Sequence, residues 1–245
     1  MKRFVAVFII GITISLFYSG CQKPGCIGHI GTIISQERPL PAFTMLTLED
    51  NINFELVQSD TEKIEIEGPE NILPNIQTEI NGQTLTISNK TDCRWLRDAS
   101  EKITARVFFK NLVQINYNGS GNVTNLDTLK LGFLGIMSEK GAGNVNLVLQ
   151  VDRLGMSNFK ENAGFILRGS ANFCSLFSNP RGQLTIADLS VKKMSIIYSG
   201  LADTYIQVTD TLDATIRYKG NVYYKGNPVI TRSDYFSSGR LIKIQ

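Results

Sequence analysis

A glycine recurs about every 20 residues from Gly121 onward, at Gly121, Gly143, Gly164, Gly182, Gly200, Gly220 and Gly239, with intervals of 22, 21, 18, 18, 20 and 19 residues. Two positions after each stands an apolar residue: Val123, Val145, Ile166, Leu184, Ala202, Val222 and Leu241. Self-similarity at a fixed period of this size is the signature of stacked copies of one supersecondary unit. No unit can bury its own apolar face, so neighbouring copies must build one continuous core. A second apolar cluster follows in each unit, as in Leu129 with Leu131, Val151 with Leu154 and Leu189 with Val191. Two clusters per unit predict two or three short strands per turn of a coil. Glycine suits the corners because it reaches φ > 0 and lets neighbouring coils approach closely. The fold class expected is all-β, a parallel β-helix or β-solenoid-like stack of coils of about 20 residues.

Upstream of the repeat the pattern is also β. Residues 51–58 alternate apolar and polar, and residues 63–68 do so again, which is the period of a half-buried strand. Asn81-Gly82, flanked by Ile80 and Leu85, predicts a hairpin with a type I′ turn. Residues 70–76 can hold a short helical turn, limited by Pro74.

The first residues read as an export segment. Lys2 and Arg3 precede an uncharged, mostly apolar run from Phe4 to Tyr18, and Ser19-Gly20-Cys21 follows. This is the three-part layout of a secretory signal peptide, with an apolar run short of the roughly 20 residues a bilayer span needs. The small-small-Cys ending resembles a bacterial lipobox, with Tyr18 where that motif usually carries Leu. It implies cleavage before Cys21 and lipidation of Cys21, so that the chain is held to a membrane by its lipid. An ordinary cleavage site and a retained anchor are the alternatives. The expected organisation is a lipoprotein signal peptide over 1–20, a tether over 21–38 and one β domain over 39–245. The location expected is the cell envelope, as an outer-membrane lipoprotein facing either the periplasm or the cell surface.

Of 25 basic residues, Lys2 and Arg3 leave with the signal peptide, so 23 stand against 22 acidic ones. That balance lacks the single-sign field nucleic-acid binding requires. Beyond Cys21 there are Cys26, Cys93 and Cys174; one pair and one free thiol is the simplest reading, with no pair assignable from sequence. Cys174, between Phe173 and Leu176, reads as a small core residue. The single histidine, His29, lies in the tether, so neither a metal cluster nor a Ser-His catalytic pair is expected within the fold. Gly119-Ser-Gly121 and Gly141-Ala-Gly143 lack the third glycine and following helix of a dinucleotide loop, and no cofactor is expected. Glycoside hydrolysis needs two facing carboxylates. Asp127, Asp152, Asp188, Asp203, Asp210 and Asp213 are candidates, but most precede turns, where aspartate bonds its own backbone. No catalytic residue is assigned, and the chain is expected not to be an enzyme.

Tyr205, Tyr218, Tyr223, Tyr224, Tyr235 and Phe236 give the last coils an aromatic bias. Aromatics on a sheet face can stack sugars or anchor a protein, and they also favour strands for ordinary packing. These six are the candidate binding face, for a protein or glycan partner.

The units Asn118-Gly-Ser-Gly-Asn-Val123, Lys140-Gly-Ala-Gly-Asn-Val145 and Tyr218-Lys-Gly-Asn-Val-Tyr-Tyr-Lys-Gly-Asn-Pro228, with the upstream Arg38–Phe43 segment and the Asn81-Gly82 hairpin, resemble the auto-transporter adhesin head GIN domain family. The resemblance spans residues 38–245. It implies a right-handed parallel β-helix-like fold in exported, often lipid-anchored proteins of Bacteroidetes-type bacteria, without established catalytic residues. The role it implies is adhesin-like binding with the ligand open; an envelope carbohydrate-active enzyme on a β-helix scaffold and a purely structural envelope protein are the alternatives.

Overall fold

The computed structural model describes residues 31–91, 102–159, 163–179 and 184–245. The export segment, Cys21, Cys26, His29, Cys93, Trp95 and Gly182 lie outside them. The described chain is nearly all strand and forms a β-solenoid of about 6 turns spaced about 20 residues apart.

The regular part begins at β10 (Leu129–Ser138) and continues through β11 (Asn144–Phe159), β12 (Gly164–Asn179), β13 (Leu184–Tyr198) and β14 (Thr204–Ile216). Each of β11 to β14 is long because it bends around most of a coil, and each pairs in parallel with the next. The pairing defines three faces. Asn144, Gly164 and Thr204 begin segments on one face. Leu149–Val151 aligned with Gly169–Ala171 lies on another. Leu154–Ser157 aligned with Cys174–Phe177 lies on the third. The stack ends in β15 (Val222–Lys225), β16 (Val229–Tyr235) and β17 (Leu241–Lys243); β16 pairs with β14, and β17 pairs with β15.

In-register parallel pairing superimposes equivalent residues, so the core is made of rows running up the stack. One row is Phe54, Val123, Val145 and Phe165, all buried. Another is Leu134, Leu154, Cys174, Met194 and Leu212, also buried. Each such side chain contributes roughly 1.5–3 kcal/mol of apolar burial before entropy is counted. Thr204 is the polar member of its row, and its hydroxyl donates to the Leu184 carbonyl at 3.2 Å.

The corner glycines are needed for proximity. A Cβ on Gly121 would stand 1.9 Å from the Ile52 carbonyl oxygen, and one on Gly220 would stand 2.1 Å from that of Ala202. None of Gly121, Gly143, Gly200, Gly220 and Gly239 has positive φ; that conformation belongs to Gly31, Gly82, Gly169 and Gly226. Of the two reasons expected for glycine at these corners, close approach is the one that applies. A side chain one to three residues past the glycine then caps the next coil. Asp203 Oδ1 accepts the Asn221 N–H at 2.8 Å, and Asn221 Oδ1 accepts the Arg240 N–H at 3.0 Å. The Gly-Asn-Val unit is therefore a contact, a cap and a core residue in sequence.

The N-terminal half departs from simple stacking. β2 (Met45–Asp50) and β3 (Asn53–Gln58) make one coil; β6 (Thr84–Asn89) and β7 (Thr104–Phe109) lie on its outer side; β8 (Gln114–Gly119) and β9 (Val123–Asn125) lie on its inner side. Chain order and spatial order differ here. The outer end is closed by antiparallel strands: β5 (Ile76–Asn81) on β6, and β1 (Ile33–Pro39) on β4 (Lys63–Pro69), which itself pairs with β7. The stretch expected to be tether through residue 38 is thus a strand from Ile33 onward. Arg38 ties it down by donating to the Ile76 carbonyl at 2.6 Å and the Leu73 carbonyl at 3.0 Å. A 3-10 turn at Leu73–Asn75 contains Pro74. In the β5–β6 hairpin Asn81 faces Thr84, and only Gly82 in the loop has positive φ. A type I′ turn needs two such residues, so the geometry is that of type II′, with glycine first.

Candidate functional site

The period of two decides which aromatic residues reach the surface of the last coils. In β14 Ile206 points into the core and Tyr205 points out; in β15 Val222 points in and Tyr223 points out. Register sets Tyr205 opposite Tyr223. Their rings stack with centroids 5.0 Å apart and planes 13° apart. Tyr205 is 44% exposed. The pair lies between Thr185 on one side and Ile242 on the other. Tyr224, one residue on, turns inward against the core.

Tyr218, Tyr235 and Phe236 sit elsewhere, at the corner beside the glycine column and the open end of the stack. Tyr235 closes β16 and carries the Arg240 guanidinium 5.2 Å above its ring. Phe236 follows it, 71% exposed, with its N–H bonded to the Ile216 carbonyl. The six residues of the expected binding face therefore separate into a stacked pair, an end cluster of three and one core-packed ring.

A second feature was not anticipated from the residues. An open groove of about 600 Å³ crosses five coils, lined by Lys130, Gln150, Asp152, Asn172, Ser190 and Thr209 among others. Asn172 donates to Asp152 at 2.7 Å along its floor. A sequence signal for it exists: Lys130, Gln150 and Ser190 each stand between two buried apolar residues at the same place in their units.

Five of the six carboxylates weighed for catalysis have local partners, that of Asp152 being Asn172. Asp188 lies 3.9 Å from Arg168, Asp210 lies 3.9 Å from Lys193, and Asp213 receives two bonds from Arg232 at 2.9 and 3.0 Å. Asp203 is the cap described above. Cys174 is fully buried, and desolvation pushes its thiol up to about 12, far from a reactive thiolate. Among the described residues no cluster of three or more histidine, cysteine, aspartate or glutamate side chains is placed to hold a metal. No helix of the described residues is long and apolar enough to cross a membrane.

A family model described as "Putative auto-transporter adhesin, head GIN domain" matches residues 42–228. No curated protein matches the sequence. Among solved structures, a "putative adhesin" from Bacteroides fragilis superimposes with a TM-score of 0.75 at 23% identity, covering 87% of this chain and 97% of its own. A "Putative lipid binding protein" from Parabacteroides distasonis gives 0.69 at 22%, covering 88% and 98%. A "putative adhesin" from Parabacteroides merdae gives 0.63 at 22%, covering 88% and 97%. At these identities the likeness is one of fold.

Proposed function

The chain belongs to the family described as "Putative auto-transporter adhesin, head GIN domain", and from that premise we propose that it is a lipid-anchored envelope protein that acts by binding, without catalysis. Cys21 carries the lipid in this reading, and the solenoid is held away from the outer membrane. The names of the B. fragilis and P. merdae structures support an adhesin-like role. The observation that carries the reading is the stacked Tyr205–Tyr223 pair on the outer face of the last coils. Aromatic rings held on a rigid sheet suit a glycan ring or a protein side chain, and they lose little entropy on binding. The local partners of the aspartates support a structural role for them.

The test has two parts. Palmitate labelling and membrane fractionation of the native protein and Cys21→Ala should show loss of label and release of the variant. Binding of the purified protein to a glycan panel and to immobilised envelope and host-matrix proteins should show a saturable partner that Tyr205→Ala with Tyr223→Ala loses. A saturable partner unaffected by both substitutions would move the site elsewhere, and the absence of any partner would remove the binding role.

A further inference from the structure

The two ends of the stack are finished differently. The N-terminal end is closed by antiparallel β1 and β5. At the C-terminal end β16 pairs with β14 alone among the described strands, and all seven of its residues are exposed. Val229 is 66% exposed, and Ile230 and Tyr235, which continue the inward rows of Leu212 and Ile216, are uncovered as well. An unpaired edge of this length is a template for another strand unless it is blocked.

The order of side chains on β16 indicates which strand fits. The Phe236 N–H donates to the Ile216 carbonyl of β14, so by strand alternation Asp234 and Arg232 also turn their backbone toward β14. Ser233 and Tyr235 then turn theirs to the open edge. A strand added antiparallel about Ser233 would find those groups available. The outward side chains flanking Ser233 are Arg232 and Asp234, of opposite charge, with Arg232 against Asp213 on the same face. If the added strand is β16 of a second copy, a two-fold axis through Ser233 sets Arg232 opposite the copy's Asp234, and Asp234 opposite its Arg232. Two complementary cross-strand pairs form where most edge strands place charge to repel. A two-fold axis of this kind closes the assembly at two copies.

We propose that the C-terminal end of the stack is a homophilic interface, in which β16 pairs antiparallel with β16 of a second copy about Ser233. β1 lies at the opposite end of the stack from β16, so two copies joined in this way carry their β1 strands at the two far ends. Taken with the lipid anchor on Cys21, on which this consequence alone rests, the pair would join two membranes facing each other.

The association is tested on the full chain carrying Cys21→Ala, by sedimentation velocity over a concentration series, with oxidative cross-linking of a further Ser233→Cys substitution. A concentration-dependent dimer is expected. A hydrogen-bonded antiparallel pair brings its Cα atoms to about 5.5 Å, within disulfide range. Ser233→Cys should therefore cross-link in high yield, while Ser170→Cys on the groove face and the unsubstituted chain should not. Asp234→Lys sets like charges across the axis twice and should weaken the dimer about 10-fold or more. A monomer at every concentration with no Ser233→Cys cross-link overturns the proposal. So does a dimer that Asp234→Lys leaves intact, which would place the contact at another surface. These readouts do not depend on lipidation: a dimer in solution with no palmitate label would leave this interface standing while the anchored reading fails. A labelled but monomeric protein would do the reverse.

Discussion

The hydroxyl of Tyr117 sits between two coils: it accepts the Gly143 N–H at 2.9 Å and donates to the Gly121 carbonyl at 2.5 Å. One buried side chain thereby satisfies two backbone groups at the corner where glycines bring the coils together. Tyr117→Phe keeps the ring and strands both groups. The expected loss is about 1–3 kcal/mol in denaturant unfolding, the cost of leaving buried polar groups without partners.

The same burial gives Tyr117 and Tyr198 a pH signature. Desolvation pushes each phenol from 10.0 up to about 12, offset for Tyr117 by the Gly143 N–H and reinforced for Tyr198 by the nearby Asp203 charge. A raised folded pKa means that the proton is held more tightly in the native state. The stability it contributes is full below pH 10 and is lost as pH rises toward 12. Ultraviolet titration of the native protein should show two of the tyrosines ionising late. In Tyr117→Phe one of these late transitions should disappear.

Two glycines separate close contact from mere flexibility. Gly121→Ala drives a methyl into the Ile52 carbonyl, 1.9 Å away, and should cost about 1–3 kcal/mol or more. A Cβ on Gly132 meets nothing within 4 Å and its φ is not positive, so Gly132→Ala should be neutral or stabilise by about 0.4–1 kcal/mol. Equal destabilisation by both, measured by thermal unfolding, would contradict the account of the corners.

At the closed end, charges alternate across four strands. Lys63 bridges Glu37 at 2.8 Å and Glu65 at 2.7 Å, and Arg106 bridges Glu65 at 3.2 Å and Glu55 at 2.9 Å. The Lys63 hydrogen bond, followed by Lys63 and Arg106 charge, holds the Glu65 carboxyl below its ordinary value of 4.5. Its contribution is therefore present at neutral pH and fades as pH falls through that depressed value. Glu65→Gln should flatten the acid limb of the stability profile. The difference from the unsubstituted protein should shrink in high salt, because these side chains are partly exposed.

Cys174 should ignore a thiol reagent while the protein is folded. Its thiol is buried and pushed up to about 12, so iodoacetamide labelling at that position, read by peptide mass mapping, should follow unfolding. Labelling of Cys174 in the native protein would require a local opening of β12.

Much of the solenoid was legible because its determinants are local. A corner glycine, a capping asparagine and an inward valine sit within three residues at 121–123, 143–145 and 220–222. In the middle coils the glycine slips by one: Gly164 aligns with Asn144, and Phe165 rather than Ile166 continues the inward row. The inward burial of Cys174 follows from its neighbours in the same way. The hairpin at Gly82 was legible in place but not in turn type, since the pairing of Asn81 with Thr84 is settled by the register of β5 on β6. The groove escaped because its lining residues come from five coils and meet only after stacking.

The six candidate aromatics show where the boundary lies. Sequence by itself determined that the last coils are rich in rings, that the chain is all-β, and that its repeat is about 20 residues long. Tertiary structure decided that Tyr205 stacks on Tyr223, that Tyr224 packs inward, and that Tyr235 stands at an uncovered end. It also decided that β6 and β7 lie outside β2 and β3, against chain order, and that Ile33–Pro39 joins the sheet. The reason is physical: side-chain alternation and corner chemistry act over a few residues and are written in the chain. Register and strand order depend on hydrogen bonds between segments tens of residues apart, whose free energies are compared only when the whole stack forms.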